Sequence, residues 1–213
     1  MSKLLIDPHG DDAVLFASFL TMKEKPLVVV VLDSYIQVAR GHAGATAERR
    51  RNETLAALLE LGSPGQVFLG IRDDAPDWEY LRAWLKQRRD DGQFDGIICP
   101  AWEHGGHEQH NDIARICRDL WPDEQRTEYL TYTRTFGRSR AGDSTRGAMH
   151  DKAVEVIPTP DMVARKHRAL ACYTSQMEVP GCVEWFWKED LREYVLPPAQ
   201  SEGRGVDVGG IAR

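Results

Sequence analysis

The run "PLVVVVLD", Pro26 to Asp33, constrains the fold of this chain more than any other stretch. Four successive valines leave no polar face. Side chains of a strand alternate between two sides, so both sides must be buried, as in a parallel sheet covered by helices. "KLLID" (3–7), "QVFLGI" (66–71) and "FDGIICP" (94–100) read as further strands. Helical patterns lie between them. One runs from Asp11 to Met22. A second is "ATAERRRNETLAALLELG" (45–62), where Leu55, Leu58, Leu59 and Gly62 are spaced for one apolar face and a stop. A third is "APDWEYLRAWLKQRRDDG" (75–92), with Trp78, Leu81 and Leu85 in step. "AWEHGGHEQHNDIARICRDLW" (101–121) is a Gly-rich loop entering a fourth helix. This alternation predicts an α/β fold: a Rossmann-like, doubly wound, mostly parallel sheet flanked by helices.

After Trp121 the rhythm changes. "TEYLTYTRTFG" (127–137) and "AVEVIPTP" (153–160) read as strands, and "PDMVARKHRALACYTSQ" (160–176) as a helix opened by Pro160 and Asp161. These form a smaller C-terminal strand/helix extension. Residues 1–197 read as a single domain and 198–213 as a flexible tail. Residues 34–44 and 136–151 read as loops.

The net charge of −6 argues against a general nucleic-acid binder, which would show a basic face. No apolar run approaches the ~20 residues of a membrane span, and no signal-peptide pattern follows Met1. The expected setting is cytoplasmic. None of the four cysteines forms a CxxC pair, and Cys99 and Cys117 sit on apolar patterns as buried thiols. Trp78, Trp84, Trp185 and Trp187 read as core or interface aromatics rather than platforms for a sugar ring. His42 reads as a solvated loop residue, and "ERRR" (48–51) as a charged helix face.

Two polar clusters fall at the carboxyl ends of strands, where open α/β sheets bind ligands. The first is "DPHGDD" (7–12), the second "EHGGHEQHND" (103–112). In a doubly wound sheet strands one and four can be neighbours, so the clusters can face each other. His9 and Asp12 are three apart at a strand-to-helix turn, with Gly10 free to bend it. His107 and His110 are three apart on a first helical turn and can share a face. Two histidines and a carboxylate match the ligand count of a catalytic zinc site with one position left for water.

In this pattern the sequence resembles the LmbE/PIG-L family of zinc-dependent N-deacetylases. The resemblance rests on "PHGDD" at 8–12, "RRNETLAALLELG" at 50–62, "GGHEQHNDIA" at 105–114 and "KHRALACYTSQ" at 166–176. It implies hydrolysis of an N-acetyl group from a small N-acetylglucosamine-containing conjugate. It implies one Zn²⁺ per chain, with other divalent metals compatible, held by His9, Asp12 and His110. Asp11 would take a proton from the metal-bound water, and His107 would stabilise the oxyanion or protonate the leaving amine. Arg50 and His104 are candidate substrate contacts, and Glu53 a structural ion pair. A homo-oligomer is compatible with the sequence.

Two departures from the family pattern matter, at Gly10 and at Glu108–Gln109, which stand in place of the "PD" of "HPDH". Gly10 replaces a proline of "HPDD", which predicts a less preorganised turn. Gln109 replaces an aspartate of "HPDH", expected to orient a catalytic histidine, so His107 would lose a charged partner unless Glu108 or Asp112 takes that part. Two other readings stand beside the deacetylase: a catalytically silent sugar- or metal-binding protein on this fold, and a metal-dependent phosphoesterase, which would need a second metal site.

Overall fold

A computed structural model describes residues 2–34, 46–104, 106–131, 152–177 and 191–199. The expected loops at 34–44 and 136–151 fall almost wholly outside these residues, as do His42, Trp185, Trp187, Cys182 and nearly all of the tail.

Strands β1 (Ser2–Asp7), β2 (Leu27–Asp33), β3 (Gln66–Arg72), β4 (Phe94–Pro100), β5 (Arg126–Tyr129), β6 (Val154–Glu155) and β7 (Tyr194–Leu196) form one sheet in the order β3-β2-β1-β4-β5-β7-β6. The first five are parallel to one another, and β7 runs antiparallel to β5 and β6. The α/β sheet is therefore mostly parallel, as its apolar strands require. Strand order reverses at β1, and β4 lies beside it, with Leu5 paired to Val28 on one side and Ile98 on the other. Brought together this way, the carboxyl ends of β1 and β4 become the floor of the site.

The four valines divide as alternation demands. Val28 and Val30 join Leu5, Ile98 and Tyr129 under one helical layer. Val29 and Val31 join Leu4, Ile6, Ile97 and Cys99 under the other. Each fully buried valine contributes about 1.5–3 kcal/mol relative to an exposed one. The first layer comprises α1 (Asp12–Phe16), α2 (Ser18–Glu24), α3 (Ala47–Leu61) and α6 (Pro160–Ala171), followed by the short α7 (Thr174–Met177). The second comprises α4 (Trp78–Asp90) and α5 (Glu108–Leu120). Trp78 and Trp84 pack against this second core, and Cys99 and Cys117 are buried in it as free thiols. Among the described residues no helix is long and apolar enough to cross a membrane.

Three local readings need correction. The helix expected over 11–22 is two helices broken at Ala17, whose φ is −136°. The Glu193 carboxylate accepts from the Ser18 and Phe19 amides at 3.0 and 2.9 Å and from the Ser18 hydroxyl at 2.5 Å. It thereby starts α2 afresh. Lys166 Nζ lies 2.6 Å from the same carboxylate, and the two side chains are 2% and 0% exposed. The apolar face expected on α3 is also rotated. Leu58 is buried, but Leu55 and Leu59 are 37% and 78% exposed. The face turned inward carries Arg50, Glu53 and Thr54 with Ala57, Leu58 and Leu61, because each of the three polar residues finds a polar partner on that side. Finally, the helix expected over 160–176 ends at Ala171. Beyond the break the chain turns Tyr173 inward, fully buried.

Candidate metal centre

The β1 strand delivers Asp7 to its carboxyl end, and the chain turns at once into α1. The turn depends on Gly10, whose φ is +84°. Proline, held near −65°, cannot take that conformation. The Gly10 amide donates to Asp7 Oδ1 at 2.9 Å, another bond a proline could not make. Its carbonyl accepts from Tyr173 Oη at 2.6 Å and from Thr54 Oγ1 at 2.8 Å. The expected looseness is thus absent: the peptide is pinned from three sides by residues of β1, α3 and the segment after α6. Asp7 is wholly buried. Its pKa is raised well above the carboxylate range by that burial and by the charges of Asp12 and Asp11.

The turn projects His9 and Asp12 toward the first turn of α5, which carries His110. His9 Nδ1 lies 3.1 Å from Asp12 Oδ2 and 3.0 Å from His110 Nε2. The third edge, His110 Nε2 to Asp12 Oδ2, is 3.2 Å. The three donor atoms make a nearly equilateral triangle. Around a tetrahedral zinc with bonds of roughly 2.0–2.2 Å, neighbouring ligand atoms are about 3.3–3.5 Å apart. The triangle is slightly tighter, and holding a cation on all three donors would need only a small expansion. Two imidazole nitrogens and a carboxylate oxygen converging this closely suit a divalent ion.

The electrostatics agree. Burial disfavours the His9 imidazolium, but the Asp12 hydrogen bond and charge, with Gln109 and Asp11, outweigh it and raise its pKa to about 9. Burial would raise the Asp12 pKa, yet His110 and His9 hold it far below the usual carboxylate range. Asp12 therefore remains an anion that calls for positive charge, whether from a proton on His9 or from a metal.

His107 immediately precedes α5 at the exposed rim, its ring centroid 4.9 Å from that of His9 and 5.2 Å from that of His110. Ligating atoms of the three histidines all lie within 4.8 Å of one another. The compact His9–Asp12–His110 triangle is the tighter set, and His107 stands beside it. Burial, followed by the positive charge of His9 and His110, pushes the His107 pKa down to about 4.

Asp11 lies next to Asp12 in the chain but faces another partner. Arg50 Nη2 is 3.1 Å from Asp11 Oδ2 and donates to the His9 carbonyl at 3.1 Å. Nε and Nη1 of Arg50 are buried and lack hydrogen-bond partners among the described residues. Glu53 is a structural anchor, as its helix position allows: its carboxylate accepts from the Ser175 amide at 2.7 Å and hydroxyl at 2.6 Å. The other two arginines of "ERRR" are likewise paired, Arg49 with Glu53 and Arg51 with Asp33.

His104 is not among the clustered histidines. It sits exposed on the β4–α5 loop with its ring 6.5 Å from that of Trp102. Gln109 does not act where the family pattern predicts. Its Oε1 meets His9 Nε2 at 2.8 Å, and its Nε2 donates to the Asp73 carbonyl at 2.6 Å. Glu108 is exposed, and Asp112 bonds Arg115. The sequence reading missed three supports of the turn: Asp7 as its hydrogen-bond acceptor, and Thr54 and Tyr173 on the Gly10 carbonyl. A hint lay in "CYTSQ", where a tyrosine ends an amphipathic helix, but its reach is a tertiary fact.

No protein-family model matches the sequence, and no curated protein matches it. Solved structures do. A deacetylase of the teicoplanin biosynthetic pathway, in triple-mutant form, superposes with a TM-score of 0.68 at 18% identity, covering 95% of this chain and 100% of that one. The N,N'-diacetylchitobiose deacetylase from Pyrococcus horikoshii gives 0.58 at 18% identity, over 86% of this chain and 72% of that one. GalB, the 4-carboxy-2-hydroxymuconate hydratase from Pseudomonas putida, gives 0.58 at 16% identity, over 87% and 83%. The chain shares the fold of these proteins.

Proposed function

We propose that this chain is a metal-dependent N-deacetylase of the LmbE/PIG-L type, removing the acetyl group from an N-acetylglucosamine-containing small conjugate. The observation that carries the proposal is the His9–Asp12–His110 triangle, flanked by a carboxylate at Asp11 and an imidazole at His107. His9, Asp12 and His110 would hold one divalent ion per chain, zinc being the ion such donors commonly take. When bound, such an ion polarises an amide carbonyl and makes water a stronger acid.

The chain's own residues supply the remaining functions. Asp11 is the base in this reading: it lies beside the ligands without belonging to the triangle, and Arg50 fixes its direction. His107, held neutral near pH 7, suits an N–H donor to the developing oxyanion better than a standing imidazolium acid. Arg50 is committed to Asp11 and the His9 carbonyl, so its part is to position the base, with Nε and Nη1 left to meet an acceptor. His104 and Trp102 lie on the loop between β4 and His107 and in this reading form the edge that meets a sugar ring.

One observation weighs against a two-metal phosphoesterase. Among the described residues a single cluster of three ligating groups is found. Since a hydratase shares the fold, the reaction itself must be measured. The test is release of acetate from N-acetylglucosamine conjugates by metal-loaded protein, followed by mass spectrometry. Loss of one acetyl unit, abolished by chelation and by Asp11→Ala or His110→Ala, is expected. Wild-type rate in either folded variant rejects the assignment, and metal binding without turnover on any conjugate favours the silent binding protein.

A further inference from the structure

We infer that Gln109 is a positioning residue that sets which nitrogen of His9 faces the ligand triangle, and so fixes Nδ1 as the ligating atom. The inference rests on the metal-site reading above, but not on the deacetylase activity.

The argument begins at a backbone carbonyl. Asp73 follows β3 and is tied to the neighbouring strand by its amide, which donates to the Asp33 carbonyl at 3.2 Å. Its own carbonyl can only accept. The Gln109 amide group approaches it at 2.6 Å and must present its NH₂ there, because an oxygen in that position would face an oxygen. The orientation of the Gln109 amide is therefore determined by the backbone and leaves no freedom to flip. Oε1 then points at His9 Nε2, 2.8 Å away. A carboxamide oxygen only accepts, so Nε2 must carry the hydrogen. When the ring is neutral, its lone pair is consequently on Nδ1. That atom lies 3.1 Å from Asp12 Oδ2 and 3.0 Å from His110 Nε2, at a corner of the triangle.

A hydrogen-bond partner on the far nitrogen of a ligating histidine orients the ring and adjusts its basicity, and losing one typically costs 10–100-fold in metal affinity. Gln109 fills this place without a charge. A neutral acceptor holds the tautomer but draws less on the Nε2 proton than a carboxylate would. The aspartate-to-glutamine difference from the family pattern therefore retunes His9 rather than disabling His107.

The experiment measures zinc affinity of the full chain by chelator competition, without substrate, for wild type, Gln109→Leu and Gln109→Glu. Gln109→Leu removes the acceptor at similar volume and should weaken zinc binding 10–100-fold. Gln109→Glu keeps an acceptor toward Nε2 and, although its second oxygen loses the bond to the Asp73 carbonyl, should bind zinc more tightly than Gln109→Leu. In parallel, nitrogen-15 spectra of zinc-loaded wild type should show His9 metal-bound at Nδ1 and protonated at Nε2. That measurement holds even if Gln109→Leu fails to fold. Ligation through Nε2, wild-type affinity in folded Gln109→Leu, or no divalent-ion binding by wild type overturns the inference. Zinc bound as described with no acetate release leaves it standing and rejects the deacetylase reading alone.

Discussion

Arg50 and Asp11 form an ion pair of 3.1 Å whose side chains are 6% and 13% exposed, and the same guanidinium nitrogen Nη2 also holds the His9 carbonyl. One cation therefore fixes both the carboxylate assigned as base and the backbone of the residue assigned as ligand. Arg50→Met should destabilise the fold by about 3 kcal/mol, the low end for breaking a buried pair, because Asp11 keeps some contact with solvent. Arg50→Lys preserves the charge but replaces the rigid guanidinium, whose Nη2 reaches both partners, with a flexible point charge. It should recover much of the stability and little of the turnover. Urea unfolding and acetate-release rates on the same preparations separate the two effects.

Proton linkage gives a second prediction. In the metal-free protein His9 titrates near 9, so below that pH an incoming cation must displace its proton. Metal affinity should rise about tenfold per pH unit from 6 to about 9 and then level off. Competition titrations across that range check the slope. A flat profile would mean that His9 carries no proton to lose.

The same groups shape stability. His9 has a folded pKa raised from 6.5 to about 9, so its contribution is full below 6.5 and is lost as pH rises through 9. His107 is lowered from 6.5 to about 4, so it favours the folded state above 6.5 and that contribution is lost as pH falls toward 4. The pair should place a stability maximum of the metal-free chain near pH 6.5, with metal removing the alkaline decline. Thermal melts at several pH values, with and without zinc, give the curve.

Gly10 should resist substitution. At φ +84° an added Cβ would also come within 2.9 Å of Thr54 Oγ1. Gly10→Ala should cost about 1–3 kcal/mol. Gly10→Pro should cost more, since it also deprives Asp7 of its donor. The familiar motif proline is thus the wrong residue in this chain. Calorimetry of the two variants orders the costs.

The Lys166–Glu193 pair yields a stability prediction away from the metal centre. Removing either partner leaves a buried charge and should cost about 3–5 kcal/mol. Glu193→Gln keeps some of the helix-starting hydrogen bonds and should be milder than Glu193→Ala. Denaturant midpoints of both variants test this.

Much of this molecule was legible in the sequence because burial on both faces dictates composition. The four valines announced a parallel strand, and the two polar clusters lay where such sheets bind ligands. His9, Asp12 and His110 could be paired across 101 residues because β1 and β4 are neighbours. What escaped was rotation and reach. Leu55 and Leu59 fit an apolar stripe, yet the face bearing Thr54 and Arg50 turns inward, because their hydrogen bonds to Gly10 and Asp11 decide the rotation. Helix periodicity cannot register such bonds. Nor could it show that Gln109 faces His9: residue 109 is two positions from 107, and neighbours two apart on a helix point different ways. The carbonyl that orients it lies just past the end of β3, 36 residues away.

The Gly10 carbonyl is held by Thr54 and Tyr173, residues 44 and 163 positions further along the chain. A nascent chain that has built β1 and β2 still lacks the clamp closing the turn. In the metal-site reading proposed above, the turn that sets His9 and Asp12 is complete only once Thr54 and Tyr173 are both in place, so full ion affinity should wait on both contacts. A zinc-sensitive dye followed during refolding would register completion of the fold, while far-ultraviolet ellipticity would rise earlier.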